Sequence, residues 1–219
     1  MKKILLLLAF VMPMNASAYD AQIDGIYYNL NSNTNKAGVI SGDYEYTGSV
    51  SIPETVTYNG VTYSVTSIER MAFRYCSGLT SVIIGNNVTS IANNAFNGCS
   101  GLASVTIGNS VTGIGYWAFS GCSSLTSIEI PNSVTSIGGY AFQNCSGLTS
   151  VTIGSGVTSI ANSAFLGCSF GKKDFINNSS LDAEANNYWG ATVVDSGENG
   201  FVIKDGIQVM KPLLPFLTA

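Results

Sequence analysis

One pattern recurs every 23 residues through the middle of this chain. Phenylalanine and cysteine mark it at five equivalent positions each: Phe73, Phe96, Phe119, Phe142 and Phe165, and Cys76, Cys99, Cys122, Cys145 and Cys168. A unit of this length cannot bury an apolar face by itself, so each copy has to stack on the next. The period therefore predicts a solenoid, whose stacked units form long continuous surfaces.

The apolar positions of the unit keep a fixed spacing from copy to copy. In the copy that begins at residue 79 they are Leu79, Val82, Ile84, Val88, Ile91, Ala95, Phe96 and Cys99, and copies from Leu102, Leu125 and Leu148 repeat the set. This spacing does not fit one helix. It predicts a short strand, a second short extended piece after a Gly-Asn turn, and a 3₁₀ or helical turn at the Ala-Phe pair.

One run of residues carries a family resemblance. Ala118-Phe119-Ser120-Gly121-Cys122, followed by Leu125, Ile128, Ile130, Pro131, Val134 and Ile137, resembles the BspA-like, Treponema-type leucine-rich repeat of bacterial surface proteins. The resemblance covers residues 50–170. It implies a leucine-rich-repeat solenoid of 23-residue repeats, with short parallel β-strands on one face and short extended pieces and 3₁₀ or helical turns on the other. It also implies an adhesive or protein-binding role, with no catalytic residues to carry over.

Residues 1–18 have the features of a secretory signal peptide. Lys2 and Lys3 precede an apolar run, and Ala16-Ser17-Ala18 supplies a small-residue cleavage pattern. The apolar run is shorter than the roughly 20 residues that a membrane span needs. We expect cleavage after Ala18, a secreted or cell-surface location, and no membrane span in the mature chain.

The flanks of the array are predicted to cover its apolar ends. In residues 19–67, Asn59-Gly60 between two alternating runs signals a type I′ β-hairpin. Ile52 aligns with Ile84 there, so this N-terminal β cap contains a degenerate first repeat. The repeats are assigned to residues 68–170. The C-terminal flank, residues 171–219, contains a second hairpin-like stretch at 201–209 and a proline-containing tail. One hypothesis is that this tail is truncated relative to a longer repeat protein.

Five cysteines in an exported chain raise the question of disulfides. Equivalent side chains on stacked coils point in parallel at roughly 4.8 Å, whereas a disulfide needs Cβ atoms about 3.8 Å apart with converging directions. Zinc also needs ligands that converge. We therefore predict a buried column of free thiols and no metal site.

Charge and residue inventory exclude several functions. Between Cys76 and Phe170, Glu129 is the only residue among Asp, Glu, Lys and Arg, and the formal net charge is −4. Nucleic acid is an unsuitable partner, because phosphate binding needs clustered Lys and Arg. The chain has no histidine, the usual general base and a frequent metal ligand. We predict no enzyme activity and no cofactor.

Two surfaces are candidates for ligand contact. The exposed positions of the main strand carry Ser104, Thr106, Ser127, Glu129, Ser150 and Thr152. They form either a docking surface for an extended protein or glycan, or simply exposed strand positions that suit Ser and Thr.

The second surface is aromatic. Tyr116, Trp117 and Tyr140 are expected on adjacent coils, where such side chains either mark a contact or pack over a neighbouring turn. We hypothesise a non-enzymatic secreted or cell-surface protein-interaction or adhesion module that binds host or matrix proteins through the repeat surface. The alternatives are a carbohydrate-binding accessory protein and a truncated fragment of a longer repeat protein.

Overall fold

The structure is a computed structural model that describes residues 19–42, 45–171, 174–183, 186–194, 201–204 and 207–210. Within these residues the chain forms short strands joined by turns, with a 3₁₀ turn at Asn187–Gly190. The strands are β1 (Ala21–Ile23), β2 (Ile26–Asn31), β3 (Lys36–Ile40), β4 (Gly48–Ile52), β5 (Thr55–Tyr58), β6 (Val61–Ile68), β7 (Leu79–Ile84), β8 (Ser90–Ile91), β9 (Ser104–Thr106), β10 (Gly113–Ile114), β11 (Ser127–Ile130), β12 (Ser136–Ile137), β13 (Ser150–Ile153), β14 (Ser159–Ile160), β15 (Ser169–Gly171), β16 (Phe175–Asn177), β17 (Thr192–Val194), β18 (Phe201–Lys204) and β19 (Ile207–Met210).

Each coil contributes strands to two parallel ladders on different sides of the solenoid. The first ladder contains the main strands, in the orders β4-β7-β9 and β11-β13-β16. The second continues from β6 through β8, β10 and β12 to β14, with residues 23 apart opposite each other, as in Ser67 and Ser90. The predicted parallel solenoid with a 23-residue repeat is confirmed.

The N-terminal cap is an antiparallel β meander joined to a hairpin. β1, β2 and β3 pair antiparallel, and β3 then lies parallel to β6. β5 and β6 form the predicted hairpin, in which Asn59 and Gly60 have φ angles of 49° and 78°, as a type I′ turn requires. Ile52 lies opposite Ile84, the alignment on which the prediction of a degenerate first repeat rests.

The Ala-Phe segment closes each coil by consecutive tight turns. The amide groups of Asn97 and Cys99 each donate to the carbonyl three residues earlier, at 3.2 Å. Asn94 and Gly98 have positive φ angles of 60° and 77°, so these bonds do not propagate into a 3₁₀ helix. Neighbouring coils are joined here as well, because the Phe96 amide donates to the carbonyl of Ala118 at 2.7 Å.

The core is organised around a column of five parallel phenylalanine rings. Successive centroids from Phe73 to Phe165 are 4.8, 5.0, 5.3 and 5.1 Å apart, and successive planes differ by 7° or less. All five rings are completely buried. Tyr46 covers the first ring at 4.4 Å and Phe170 the last at 6.1 Å, so both ends of the column are shielded from water.

The C-terminal flank continues the stack with small shifts in period. β16 pairs with β13 so that Phe175 lies opposite Val151, an interval of 24 residues. β17 pairs with β15 with Thr192 opposite Ser169, an interval of 23. Trp189 is buried beneath this segment. β18 and β19 pair antiparallel, which agrees with the hairpin expected at residues 201–209. The predicted signal peptide and the tail at 211–219 lie outside the described residues.

Candidate interaction surface

The side of the solenoid formed by β4, β7, β9, β11, β13 and β16 is termed the main-strand face. The six predicted strand-surface residues lie on three of its strands: Ser104 and Thr106 on β9, Ser127 and Glu129 on β11, and Ser150 and Thr152 on β13. Ser127 lies opposite Ser150, and Glu129 lies opposite Thr152. Ser150 and Thr152 are half-buried, and the other four side chains are exposed. These residues therefore share one face.

Backbone pairing on this face stops between β9 and β11. The amides of Ala103 and Thr149 each donate to a threonine carbonyl of the preceding coil at 2.9 Å, whereas Thr126, the equivalent residue between them, makes no such bond among the described residues. The second ladder still pairs β10 with β12, and the Phe119 amide still donates to the Ala141 carbonyl at 2.7 Å. The two coils are thus spread apart on the main-strand side alone.

The proline that ends β11 explains the spreading at one end of the strand. A Cβ atom at Gly108, the equivalent residue one coil earlier, would lie 2.5 Å from the carbonyl oxygen of Gly85. Only glycine tolerates so close an approach of two backbones, and Pro131 carries a ring. Proline also lacks the amide hydrogen with which Gly85 donates to the Ile52 carbonyl at 2.9 Å.

Ser124, three residues before β11, differs from its equivalents at the other end of the strand. Gly101 occupies the equivalent position one coil earlier, and a Cβ there would overlap the carbonyl oxygen of Ser77. The coil of β11 has Ser124 at this position, so it cannot approach as closely as the other coils do. The Ser124 amide still donates to the Ser100 carbonyl at 3.2 Å, so the coils stay joined just before the strand and pairing is lost from Thr126 onward.

A surface cleft of about 620 Å³, termed the interstrand cleft, opens at this gap and extends along the neighbouring coils to Gly154 and Asn178. Thr106, Glu129 and Thr152, three of the predicted contact residues, line it together with Asn109 and Asn132. Val105 is half-buried at its edge, whereas Val82, the equivalent residue one coil earlier, is buried. The sequence signal for this cleft was the replacement of two repeated glycines by serine and proline in one unit.

Tyr116, Trp117 and Tyr140 form a second surface feature, the aromatic cluster. The rings of Trp117 and Tyr140 are nearly parallel, with centroids 5.7 Å apart, and Tyr116 packs edge-on against both at 4.3 and 5.4 Å. Tyr116 and Trp117 remain 38% exposed. The structure therefore brings all three predicted aromatic residues together on adjacent coils, with two of them open to solvent.

The backbone beneath the aromatic cluster is unusual. Trp117 and Tyr140 have φ angles of 54° and 58°, in the left-handed region, as do Met71 and Asn94 at the equivalent positions. Asparagine adopts this conformation readily, whereas a bulky side chain does so at a cost of about 1–2 kcal/mol. Nothing in the sequence indicated this conformation, because glycine is absent from the position.

The five cysteines form a buried column of free thiols, as their spacing predicted. From the second onward, each Sγ atom donates to the carbonyl oxygen of a phenylalanine 26 residues earlier, as in Cys99 to Phe73 at 2.9 Å and Cys122 to Phe96 at 3.3 Å. Burial raises the pKa of the Cys122 thiol to about 12, against a smaller lowering by a backbone hydrogen bond from Cys99. At neutral pH the Cys122 thiol is therefore a protonated structural donor.

Groups that could carry out chemistry are sparse. Within the described residues, no three side chains among His, Cys, Asp and Glu are arranged to hold a metal ion. The helical segments in the same ranges are all too short to cross a lipid bilayer. The features with potential for recognition are therefore the main-strand face with its interstrand cleft and the aromatic cluster.

Parallel main strands, a second extended ladder and a closing turn in every unit define a leucine-rich-repeat solenoid. The profile of the BspA type leucine rich repeat region matches residues 66–188 in six copies. The chain belongs to this family of bacterial surface-type repeat proteins. Repeat proteins of this kind are typically non-enzymatic interaction proteins.

Solved structures of bacterial leucine-rich repeat proteins share the fold. One from Bacteroides ovatus aligns with a TM-score of 0.63 and 35% identity, over 74% of this chain and 41% of its own length. A leucine rich cell surface protein from Faecalibacterium prausnitzii aligns with a TM-score of 0.53 and 27% identity, over 87% of this chain and 57% of its own.

The T. pallidum leucine rich repeat protein has a TM-score of 0.60 and 24% identity, over 69% of this chain and 71% of its own, and shows the common fold alone. This chain thus spans about two fifths of the length of the Bacteroides ovatus protein. None of the proteins with curated functional descriptions matches it.

Proposed function

We propose that this protein is a non-enzymatic, secreted or cell-surface interaction module that binds host or matrix proteins through the main-strand face. The observation that carries the proposal is the interstrand cleft. It interrupts an otherwise regular face at the point where Thr106, Glu129 and Thr152 lie together. Polar groups that are not engaged by a neighbouring coil are available to a partner.

Apolar residues on either side of the cleft, on the same face, add to its capacity for binding. Ile83 on β7 is 54% exposed and Ile176 on β16 is 46% exposed, among polar neighbours. Removing apolar surface from water contributes roughly 25 cal/mol per Å². A partner that spans the face would bury both isoleucines and enclose the polar cleft between them, the usual combination in protein interfaces.

A second candidate function is carbohydrate binding by the aromatic cluster. The specific observation in its favour is that Trp117 and Tyr140 keep exposed or half-exposed rings in contact at positions where the backbone favours asparagine or glycine. Residues held in costly backbone conformations often serve a function. This candidate places recognition on the closing turns and not on the main-strand face.

The route to the cell surface follows from the N-terminal sequence. We infer that residues 1–18 direct export and are removed after Ala18, so that residues 19–67 cap the array, residues 68–170 form its repeats and residues 171–219 form the C-terminal flank. Membership of a surface-type family supports this inference. N-terminal sequencing of the exported protein tests it, and a mature chain that begins at Tyr19 is the expected result.

A binding screen with the exported chain separates the two candidate functions. The chain would be tested in parallel against immobilised matrix proteins and against a glycan array. Binding to matrix proteins without glycan dependence is expected. Binding to glycans alone would overturn the protein-interaction proposal and favour the aromatic cluster.

A further inference from the structure

We propose that the interstrand cleft binds an arginine side chain presented by an extended segment of the partner protein, with the Glu129 carboxylate as the anchor. This inference rests on the proposed interaction function and specifies the chemistry of its partner. Three independent features support it: the charge distribution, the hydrogen-bonding groups of the cleft, and the spacing of exposed apolar residues along the face.

The charge distribution favours a cationic ligand. Glu129 is exposed on β11, and residues 75–171 contain no Lys, Arg or other carboxylate. An unopposed carboxylate therefore determines the sign of the local potential over an otherwise uncharged surface, and it attracts a positive group. A cation that docks there encounters no competing positive charge from the repeats.

The cleft is rich in hydrogen-bond acceptors. The Asn86 side-chain oxygen accepts from the Asn109 amide at 3.0 Å, and the Asn132 side-chain oxygen accepts from the Ser155 amide at 2.9 Å. Between these two pairs the series is interrupted, because the Asn109 side chain makes no such bond to the coil of Asn132 among the described residues. The side-chain amide of Asn109, which includes an acceptor oxygen, is therefore available within the cleft.

Two further kinds of acceptor lie beside Glu129. Pro131 has no amide hydrogen to donate to the Ile107 carbonyl, and Ile107 lines the cleft. The hydroxyl groups of Thr106 and Thr152 occupy the strands on either side of Glu129. A guanidinium group carries five donors in a planar fork and binds a carboxylate in bidentate fashion. Arginine matches this set better than the three-donor ammonium group of lysine.

The apolar residues of the face define how the partner segment lies. Ile83 and Ile176 occupy the same row as Glu129, each two strands away. At roughly 4.8 Å per paired strand, Ile176 is about 10 Å from Glu129 along the row. Ile83 lies farther from Glu129, because the unpaired strands β9 and β11 stand between them. A polyproline II segment rises about 3.1 Å per residue with three residues per turn. Side chains three residues apart therefore face the same side with a similar spacing.

The fit predicts a partner pattern of arginine, two others and an apolar residue that reaches Ile176, with a further apolar residue on the Ile83 side of the arginine. The probe is the synthetic peptide Leu-Pro-Pro-Arg-Pro-Pro-Leu with a fluorescent label, and its matched controls replace arginine by glutamine or lysine. Binding to the exported chain is measured by fluorescence anisotropy. We expect the arginine peptide to bind at least about tenfold more tightly than the glutamine peptide.

Two variants of the protein locate the binding. Glu129→Gln should abolish the preference for arginine over glutamine. Glu54→Gln removes a carboxylate that bonds to the Asn86 side chain at the edge of the same face, and it should leave the preference unchanged. The double variant Ser124→Gly with Pro131→Gly restores the glycines of the other repeats, so it should close the cleft and weaken binding of the arginine peptide, with the thermal unfolding transition retained.

The inference is wrong if the arginine peptide fails to bind the wild-type chain, or if its advantage over the glutamine peptide persists in Glu129→Gln. Those results leave the broader interaction function standing as long as matrix proteins still bind in the screen. Absence of any protein partner in that screen would instead contradict the interaction function itself.

Discussion

Phe119 and Phe142 lie 5.3 Å apart, the widest spacing in the phenylalanine column, although their ring planes differ by only 5°. They belong to the two coils whose main strands, β9 and β11, do not pair. The aromatic core is thus continuous through the point at which the sheet opens. The repeats tolerate the cleft because hydrogen bonds persist on the other sides of the same coils.

The phenylalanine column should be the main source of stability in the repeats. Phe119→Ala removes a fully buried ring that stacks on both neighbours, so we expect a loss of about 3–5 kcal/mol in the free energy of unfolding. Trp117→Ala, two residues earlier and partly exposed, is the matched control and should cost much less. Urea denaturation followed by circular dichroism measures both. Equal losses would contradict a stacked core.

Amide hydrogen exchange should reveal the interruption of the main-strand ladder. We expect the Thr126 amide to exchange quickly in the wild-type chain, because it lacks the bond that its equivalents Ala103 and Thr149 make. In the double variant Ser124→Gly with Pro131→Gly, exchange at Thr126 should slow by at least about tenfold as the ladder closes. Thr149 should be protected in both proteins. Strong protection of Thr126 in the wild type would contradict the interruption.

The cysteine column should be chemically silent until the protein unfolds. All five thiols are buried and free, so titration with a thiol reagent should detect almost none in the native chain. In denaturant without any reductant, all five should react. A smaller number under denaturing conditions would show that some of the cysteines are paired.

The free energy of unfolding should fall in alkaline solution because of the cysteine column. The folded-state pKa of Cys122 is raised from 9.0 to about 12, so the unfolded chain loses this proton first as the pH rises. The contribution of the Cys122 thiol to the free energy of unfolding is fully present below about pH 9. It is lost as the pH rises toward 12, at up to about 1.4 kcal/mol per pH unit. Burial also raises the pKa of Tyr28 and Tyr46, which act in the same direction.

Urea denaturation at a series of pH values measures this dependence. The Cys122→Ala variant lacks this one thiol, so comparison with the wild type gives the part of the pH dependence that the thiol causes. The free energy of unfolding of the variant should decline less steeply above pH 9 than that of the wild type. Identical slopes in the two proteins would show that the thiol does not titrate as its burial requires.

Features that the repeats share could be predicted from the sequence, because equivalent residues must occupy equivalent places in stacked coils. The register of Ile52 with Ile84 was found in this way, whereas the turn at Asn59-Gly60 was found from its local hairpin signal. The thiol column followed from the same reasoning.

Features that depend on differences between repeats were not predicted. The cleft arises from Ser124 and Pro131, and their effect depends on how closely the backbones approach at Gly101 and Gly108. That distance is a property of the assembled stack and cannot be read from the spacing of apolar residues. The left-handed backbone at Trp117 was missed for a related reason, since the turn geometry that four of the coils share overrides the local preference of the side chain.

Recognition by the main-strand face is tested most directly by blocking it and the aromatic cluster separately. The double variant Thr106→Lys with Thr152→Lys places two cations beside Glu129, and Trp117→Ala with Tyr140→Ala removes two rings of the cluster. Affinity for the strongest matrix-protein partner is then measured by biolayer interferometry. The first variant should lose at least about tenfold in affinity, and the second should bind as the wild type does. Unchanged binding by the threonine variant together with loss in the aromatic variant would contradict recognition by the main-strand face.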